Sequence, residues 1–213
     1  AEGSVALLVN GRGDAELRGK HLEALLSHRV DGIVAVGEAP EPREPLTVPD
    51  GTPIVYAYGP SASADDVSVV ADFQRAGRLA VAHLLERGCT RLGFVPGPSH
   101  PDGGHGWSAG RDRRTGAVAE MAGCTSPALL ALAREEGSFD EAWGWRMAAR
   151  ILRADDRVDG LVCADDRVAR GAIDLLRARG IEVGAQVAVI GMDNWFPFTE
   201  SVRLPQSSVD MNL

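Results

Sequence analysis

The 213-residue chain is poor in cysteine, in aromatic residues and in positive charge, and it has no long apolar run. Its three cysteines, Cys89, Cys124 and Cys163, are widely spaced and show no metal-ligand spacing. That excludes a disulfide framework and a zinc site, and points to a reducing compartment. Twenty-two basic residues against 30 acidic ones leave a net charge of -8, which disfavours a broad phosphate-binding surface on this chain. No window approaches the ~18–20 apolar residues of a membrane span, and the opening "AEGSVALLVN" lacks the basic region of a secretory signal. The expectation is a cytoplasmic globular protein with no metal, no cofactor and no membrane contact.

What the chain does contain is an α/β rhythm. Short apolar stretches at 4–10, 32–37, 52–58, 67–72, 91–97, 128–134, 160–164 and 187–193 read as strands. Helical periodicity covers about 14–28, 74–87, 140–152 and 167–179, and a further helix is predicted to start near Arg111. Near-continuous apolar strands joined through helices imply parallel sheets covered on both faces. Residues 98–110 are Gly-rich and turn-like, and Gly180 suits a helix C-terminus, where it takes the left-handed conformation cheaply. "VDGIVAVG" at 30–37 and "VDGLVCAD" at 158–165 echo each other, which suggests two similar subdomains facing one another. Ligands of open α/β sheets bind outside the carboxyl ends of the strands, so the strand tips are the place to look.

At those tips stand Asp165 and Asp166 after "GLVCA", and Asp193 after "VAVIGM". Each carboxylate has two readings. Before a helix it caps free N–H groups and complements the helix dipole; turned outward it accepts hydrogen bonds from a ligand. Two in a row exceed what one cap needs, and the expected division gives the helix start to Asp166 and the cleft to Asp165, with the exchanged arrangement left open. Asp193 is equally a turn former. Arg111, Arg113 and Arg114 form a solvated basic face or supply a guanidinium fork for hydroxyls or a carboxylate. Phe139 is either core or a stacking surface for a sugar, whereas Trp143, Trp145 and His83 read as packing residues. The "RGD" at 12–14 is a short chance match, and "GGHG" at 103–106 lacks the spacing of a dinucleotide fingerprint. No Ser–His–Asp arrangement can be defended from spacing.

"HRVDGIVAVG", "TPIVYAYG", "VSVVADFQRAGRLAVAHLLERGCTRLGFVPGP", "RDRRTGAVAEMAG", "GLVCADDRVARGAIDLLRARGIEVGAQVAVIGMDN" and "SSVDMNL" resemble, in order, the effector-binding core of lactose-repressor-type (LacI-type) transcriptional regulators. The resemblance implies two doubly wound parallel-sheet subdomains of the periplasmic-binding-protein-like type I fold. It matches from the family's second strand, so the chain is expected to be incomplete at both ends. The subdomains are expected at 1–97 and 98–206, with 207–213 beginning a strand that crosses back. Arg113 matches an effector-contacting arginine, Phe139 a ligand-stacking aromatic, and Asp165 and Asp166 an Asn-Asp pair. Asp193 matches the first aspartate of a Gly-aromatic-Asp-Asp motif, and Asp72 and Phe73 match a strand end beside the hinge. Asp165 stands where the family has asparagine, and Met192 and Asn194 replace an aromatic and a second aspartate.

The function so implied is non-enzymatic: binding of a small polyhydroxylated effector, a sugar or a nucleoside-like compound, by a homodimer. Operator DNA would be reached only through a helix-turn-helix segment that has no counterpart here. A periplasmic-type solute-binding protein of a sugar transporter is the alternative. A carbohydrate hydrolase would need two carboxyl groups at hydrolase separation, one with a raised pKa.

Overall fold

The computed structural model describes residues 5–11, 14–49, 51–98, 107–199 and 205–212. The readings of Arg12 and Gly13, of "GGHG", and of most of the Gly-rich stretch after residue 98 lie outside the described residues. The chain divides into two compact units, Ala1–Val70 and Ala71–Leu213.

The first unit holds helix α1 (Ala15–Ser27) and strands β1 (Ile33–Val36), β2 (Ile54–Ala57) and β3 (Val67–Val69), which form a parallel sheet in the order β1-β2-β3. Asp14 starts α1 as predicted, its carboxylate accepting from the N–H groups of Glu16 and Leu17. Coverage on both faces does not hold in this unit. In β1, Ile33 and Ala35 are buried while Val34 and Val36 are exposed, and Val67 and Val69, on the register rows of Val34 and Val36, are exposed too. A parallel sheet needs helices on both sides, and α1, the only helix described in this unit, buries none of its residues. The strand expected at 4–10 is also absent over its described part. Residues 5–10 carry no regular structure, because an isolated extended run gains no ladder hydrogen bonds without a neighbouring strand.

The second unit contains α2 (Phe73–Glu86), β4 (Leu92–Val95), α3 (Trp107–Glu120), α4 (Pro127–Leu132), α5 (Glu141–Ala154), β5 (Gly160–Cys163), α6 (Asp166–Ala178), β6 (Ala188–Met192), α7 (Phe196–Thr199) and β7 (Ser207–Val209). Its four strands are parallel in the order β4-β5-β6-β7. The division between units therefore falls after Val70 instead of after residue 97. The reason is pairing: β4 bonds to β5, from Leu92↔Gly160 to Val95↔Cys163, which carries α2 and β4 into the second unit. β7 likewise pairs with β6.

Here both faces of the sheet are covered, as the continuous apolar runs predicted. Leu161, Cys163 and Val189 pack with Met147, Ile151, Val168, Ala172 and Leu176 of α5 and α6. From β4, β5 and β6, Phe94, Val162 and Ile190 turn the other way, onto Ala76, Ala80 and Leu84 of α2 and Ala117 of α3. Residues 128–134, expected as a strand, belong to α4 and the turn after it. Ser126 accepts from the Leu129 N–H, Pro127 occupies the first turn, and the Ala and Leu residues that follow favour helix over strand. Trp143 packs, its Nε1 donating to the Pro96 carbonyl at 2.6 Å, but Trp145 is exposed. Leu79, four residues before His83 in α2, is also exposed.

Each pair of helices meets through glycines. A Cβ on Gly77 would lie 2.1 Å from the Arg113 carbonyl oxygen, and one on Gly116 1.9 Å from that of Gln74, so α2 and α3 touch backbone to backbone. Gly144 and Gly171 do the same for α5 and α6, against the carbonyls of Val168 and Glu141. These contacts set the helices that carry the site.

Candidate functional site

The carboxyl ends of β5 and β6, the start of α6 and the interior of α3 converge on one polar centre. Asp165, Asp166, Arg167, Asp193 and Trp195 line a cavity of about 280 Å³ there. Behind it Arg113 is buried, only 4% exposed. Its Nη1 donates to the Ala164 carbonyl at 2.7 Å and to Asp193 Oδ2 at 3.2 Å, and its Nη2 pairs with Asp193 Oδ1. Its guanidinium lies 5.1 Å from the Phe73 ring centre and 5.9 Å from that of Phe139. Arg113 Nε, also buried, has no hydrogen-bond partner among the described residues.

Arg113 is held there by the Gly77 contact on its own carbonyl, and Phe73 by the start of α2. Asp72 makes that start: its Oδ1 accepts the Arg75 N–H at 2.8 Å, while the carboxylate itself is exposed and lies 4.0 Å from Arg78. Asp72 is thus a cap, and the structure does not bring it to the cavity. Phe139 precedes α5, in the turn after α4. Its ring reaches both sides of the core and fits where a Cβ on Gly97 would lie 2.4 Å from it. Phe139 thus follows a helix and not the strand expected at 128–134.

Of the two adjacent aspartates it is Asp165, not Asp166, that caps α6, and both oxygens of Asp166 accept from groups within the protein. Asp165, 3% exposed, is the N-cap of α6: Oδ1 accepts the Val168 N–H at 2.7 Å, and Oδ2 accepts from Arg167 Nε at 3.1 Å. Asp166, 1% exposed, turns toward the chain beyond β6. Its Oδ2 accepts the Trp195 N–H at 2.7 Å, and its Oδ1 accepts Gln206 Nε2 at 3.2 Å. Gly191 makes room, since a Cβ there would meet Asp166 Oδ1 at 2.2 Å. Asp193 has φ +101, a backbone conformation that residues with a Cβ rarely adopt, and Asn194 has φ +51. The Val209 carbonyl accepting from Asp193 N–H and the Ser208 Oγ accepting from Asn194 N–H hold that turn.

Burial dominates the electrostatics. It pushes the Asp166 carboxyl up to about 6, with the nearby Asp193 charge adding to it and hydrogen bonds from Ser208, Trp195 and Gln206 opposing. Burial also raises Asp165, against its bonds from Val168 and Arg167. The Cys163 thiol rises well above the usual thiol range, through burial first and then the two aspartates. A carboxyl raised in the fold binds its proton more tightly folded than unfolded, so the folded state is favoured at low pH. The stability tied to Asp166 is fully present below the unfolded value of 3.8 and is lost as pH rises through about 6. Urea unfolding between pH 4 and 7 is expected to show this downward component for the native chain, and Asp166→Asn is expected to remove it. An unchanged pH slope in the variant would take the effect away from Asp166.

Arg167 and Trp195 were not singled out from the sequence. The signal was their position, one directly after the aspartate pair and the other two residues beyond Asp193. Arg111, by contrast, pairs with Asp112 and is exposed, as a solvated basic face predicts. Among the described residues, no group of three or more His, Cys, Asp or Glu could hold a metal ion, and no helix is long and apolar enough to cross a membrane.

The cavity lies at the strand ends of a parallel α/β sheet, the place where open sheets of this kind take small ligands. Residues 81–213 match the periplasmic binding protein-like domain, and the chain belongs to that family. A relative, the HTH-type transcriptional repressor PurR of Actinobacillus pleuropneumoniae, is 27% identical over 198 residues, covering 91% of this chain and 56% of the relative. The chain thus spans little more than half the length of the curated relatives it matches. The transcription regulator GntR from Chromobacterium violaceum superposes with a TM-score of 0.64 at 25% identity, over 97% of this chain and 73% of that one. A sugar-binding transcriptional regulator of the LacI family from Escherichia coli, complexed with phosphate, has the same fold: TM-score 0.66 at 23% identity, over 96% and 71%. By their names these proteins are a transcriptional repressor, a transcription regulator and a LacI-family transcriptional regulator.

Proposed function

We propose that this chain is the effector-binding and dimerising part of a transcriptional regulator, a repressor, and that its effector is a small polyhydroxylated molecule such as a sugar. The observation that carries the reading is the Arg113–Asp193 pair, its guanidinium buried against the Phe73 and Phe139 rings, beside a cavity at the strand ends. An apolar core gains nothing from such a pair, whereas a polar ligand needs donors, acceptors and a ring face that are already in place. The repressor relatives favour a regulator over a transporter's solute-binding protein. A hydrolase is disfavoured because both oxygens of Asp166, the carboxyl with the raised pKa, accept hydrogen bonds from within the protein. In the full-length protein, effector binding would bias the two units between arrangements, and a helix-turn-helix segment outside this chain would convey that bias to operator DNA in a homodimer.

The test is a thermal-shift and calorimetric screen over sugars, nucleosides and amines. Neutral sugars or nucleosides are expected to stabilise the chain, and Arg113→Ala to abolish the shift. Stabilisation by amines alone would overturn the ligand class, and unchanged affinity in Arg113→Ala would remove Arg113 from the site.

A further inference from the structure

One arginine, Arg167, lines the cavity, and a second, Arg113, lies buried behind it. The terminal nitrogens of Arg113 are committed to Asp193 and to the Ala164 carbonyl, and the side chain is buried. Arg167 is anchored differently. Its Nε bonds to Asp165 Oδ2 at 3.1 Å, and its guanidinium lies 5.9 Å from the Phe139 ring centre and 6.0 Å from that of Trp195. It lines the cavity with 43% of its side chain exposed. Among the described residues neither Nη of Arg167 has a hydrogen-bond partner. With Nε engaged, four N–H donors in one plane remain, backed by a carboxylate and two rings that fix their direction.

We infer that Arg167, beyond Arg113, is a further side chain that reads the ligand, through two adjacent hydroxyl oxygens of a neutral polyol that lies against Trp195. This rests on the proposed effector-binding role and narrows its ligand class. The charges decide against an anion. Asp165 answers Arg167, Asp193 answers Arg113, and Asp166 is faced by the neutral donors Trp195 N–H and Gln206 Nε2, so the surroundings keep a surplus negative charge. A carboxylate or phosphate would meet that surplus, whereas adjacent hydroxyls accept from the fork without adding charge. The half-exposed Trp195 ring supplies an apolar face, and about 280 Å³ suits a single sugar ring. Arg113, whose terminal nitrogens hold Asp193 and the Ala164 carbonyl, fixes the wall behind the cavity. The extra charge of Asp165 has the same logic, since it is what anchors Arg167.

Isothermal titration of the chain with D-ribose, D-glucose, adenosine and the acid D-gluconate tests this, in the native protein and in Arg167→Lys and Arg167→Gln. Lysine keeps a cation beside Asp165 but loses the planar fork, so the ion pair that supports folding is retained. At least one neutral compound is expected to bind, gluconate more weakly than glucose, and both variants are expected to lose roughly tenfold in affinity. Equal affinity in the native protein and Arg167→Lys overturns the assignment of Arg167 and leaves the effector-binding role standing. Gluconate binding more tightly than glucose overturns the neutral ligand class. If no compound binds the native protein, the inference and the proposed function fall together.

Discussion

Replacing Gly116 by valine is expected to destabilise the second unit by about 3 kcal/mol, at the upper end of what overpacking costs. The contact leaves no cheap way to yield. A Cβ at Gly116 would lie 1.9 Å from the Gln74 carbonyl oxygen, 2.7 Å from its carbon and 2.9 Å from its Cα, and all of these are backbone atoms. Gly77 meets α3 in the same manner, so α2 and α3 cannot slide past one another to make room. They can only separate, which uncovers Ala76, Ala80 and Ala117 beside Phe94 and Val162. The same separation moves Arg113 away from Phe73, so ligand binding is expected to be lost along with stability. Urea unfolding followed by circular dichroism measures the first effect. A variant within 0.5 kcal/mol of the native chain, a margin typical of surface changes, would mean that the two helices are not locked at this point.

Asp193→Ala is expected to cost a comparable amount, about 3 kcal/mol, by a different route. It leaves the buried Arg113 guanidinium with the Ala164 carbonyl and two ring faces but no counter-charge. It also puts alanine at φ +101, where a Cβ is unwelcome. Most of the loss should come from the stranded charge. The double variant Asp193→Ala/Arg113→Met should therefore regain more than half of the stability lost by Asp193→Ala, while remaining unable to bind ligand. A double variant no more stable than Asp193→Ala alone would assign the loss to the backbone turn instead of the ion pair.

Much of the second unit was legible residue by residue. β4, β5 and β6 are short apolar runs of the kind that only a sheet covered on both faces can bury, and all three are wholly buried. Helix boundaries followed from chemistry local to each end: Asp140 caps α5, and Gly180 with φ +72 follows the end of α6. Local chemistry misled where an apolar run carried no period of its own. "ALLALAR" joined a helix because Ser126 and Pro127 begin one, and the run from residue 5 formed nothing because a strand is made by its neighbour.

The site divides along the same line. That strand-end aspartates, an arginine in α3 and an aromatic near residue 139 are candidates for one polar centre was readable from residue type, position and family resemblance, and the structure brings Arg113, Asp193 and Phe139 together. Which carboxylate caps, which arginine is spent and which is free could not be read there. Asp165 and Asp166 are chemically identical neighbours, and only the direction of the first turn of α6 gives one to Val168 and the other to Trp195 and Gln206. Arg113 and Arg167 lie 54 positions apart on two different helices, and their opposite fates depend on Asp193 and Asp165 reaching them first. By itself the sequence determined the α/β class, most of the helix ends and the list of candidate polar groups, because these depend on period and on contacts a few residues long. Only the tertiary structure decided the division after Val70, the bare valine face of the first sheet and the pairing of charges, because each depends on which distant strand or side chain arrives as a neighbour.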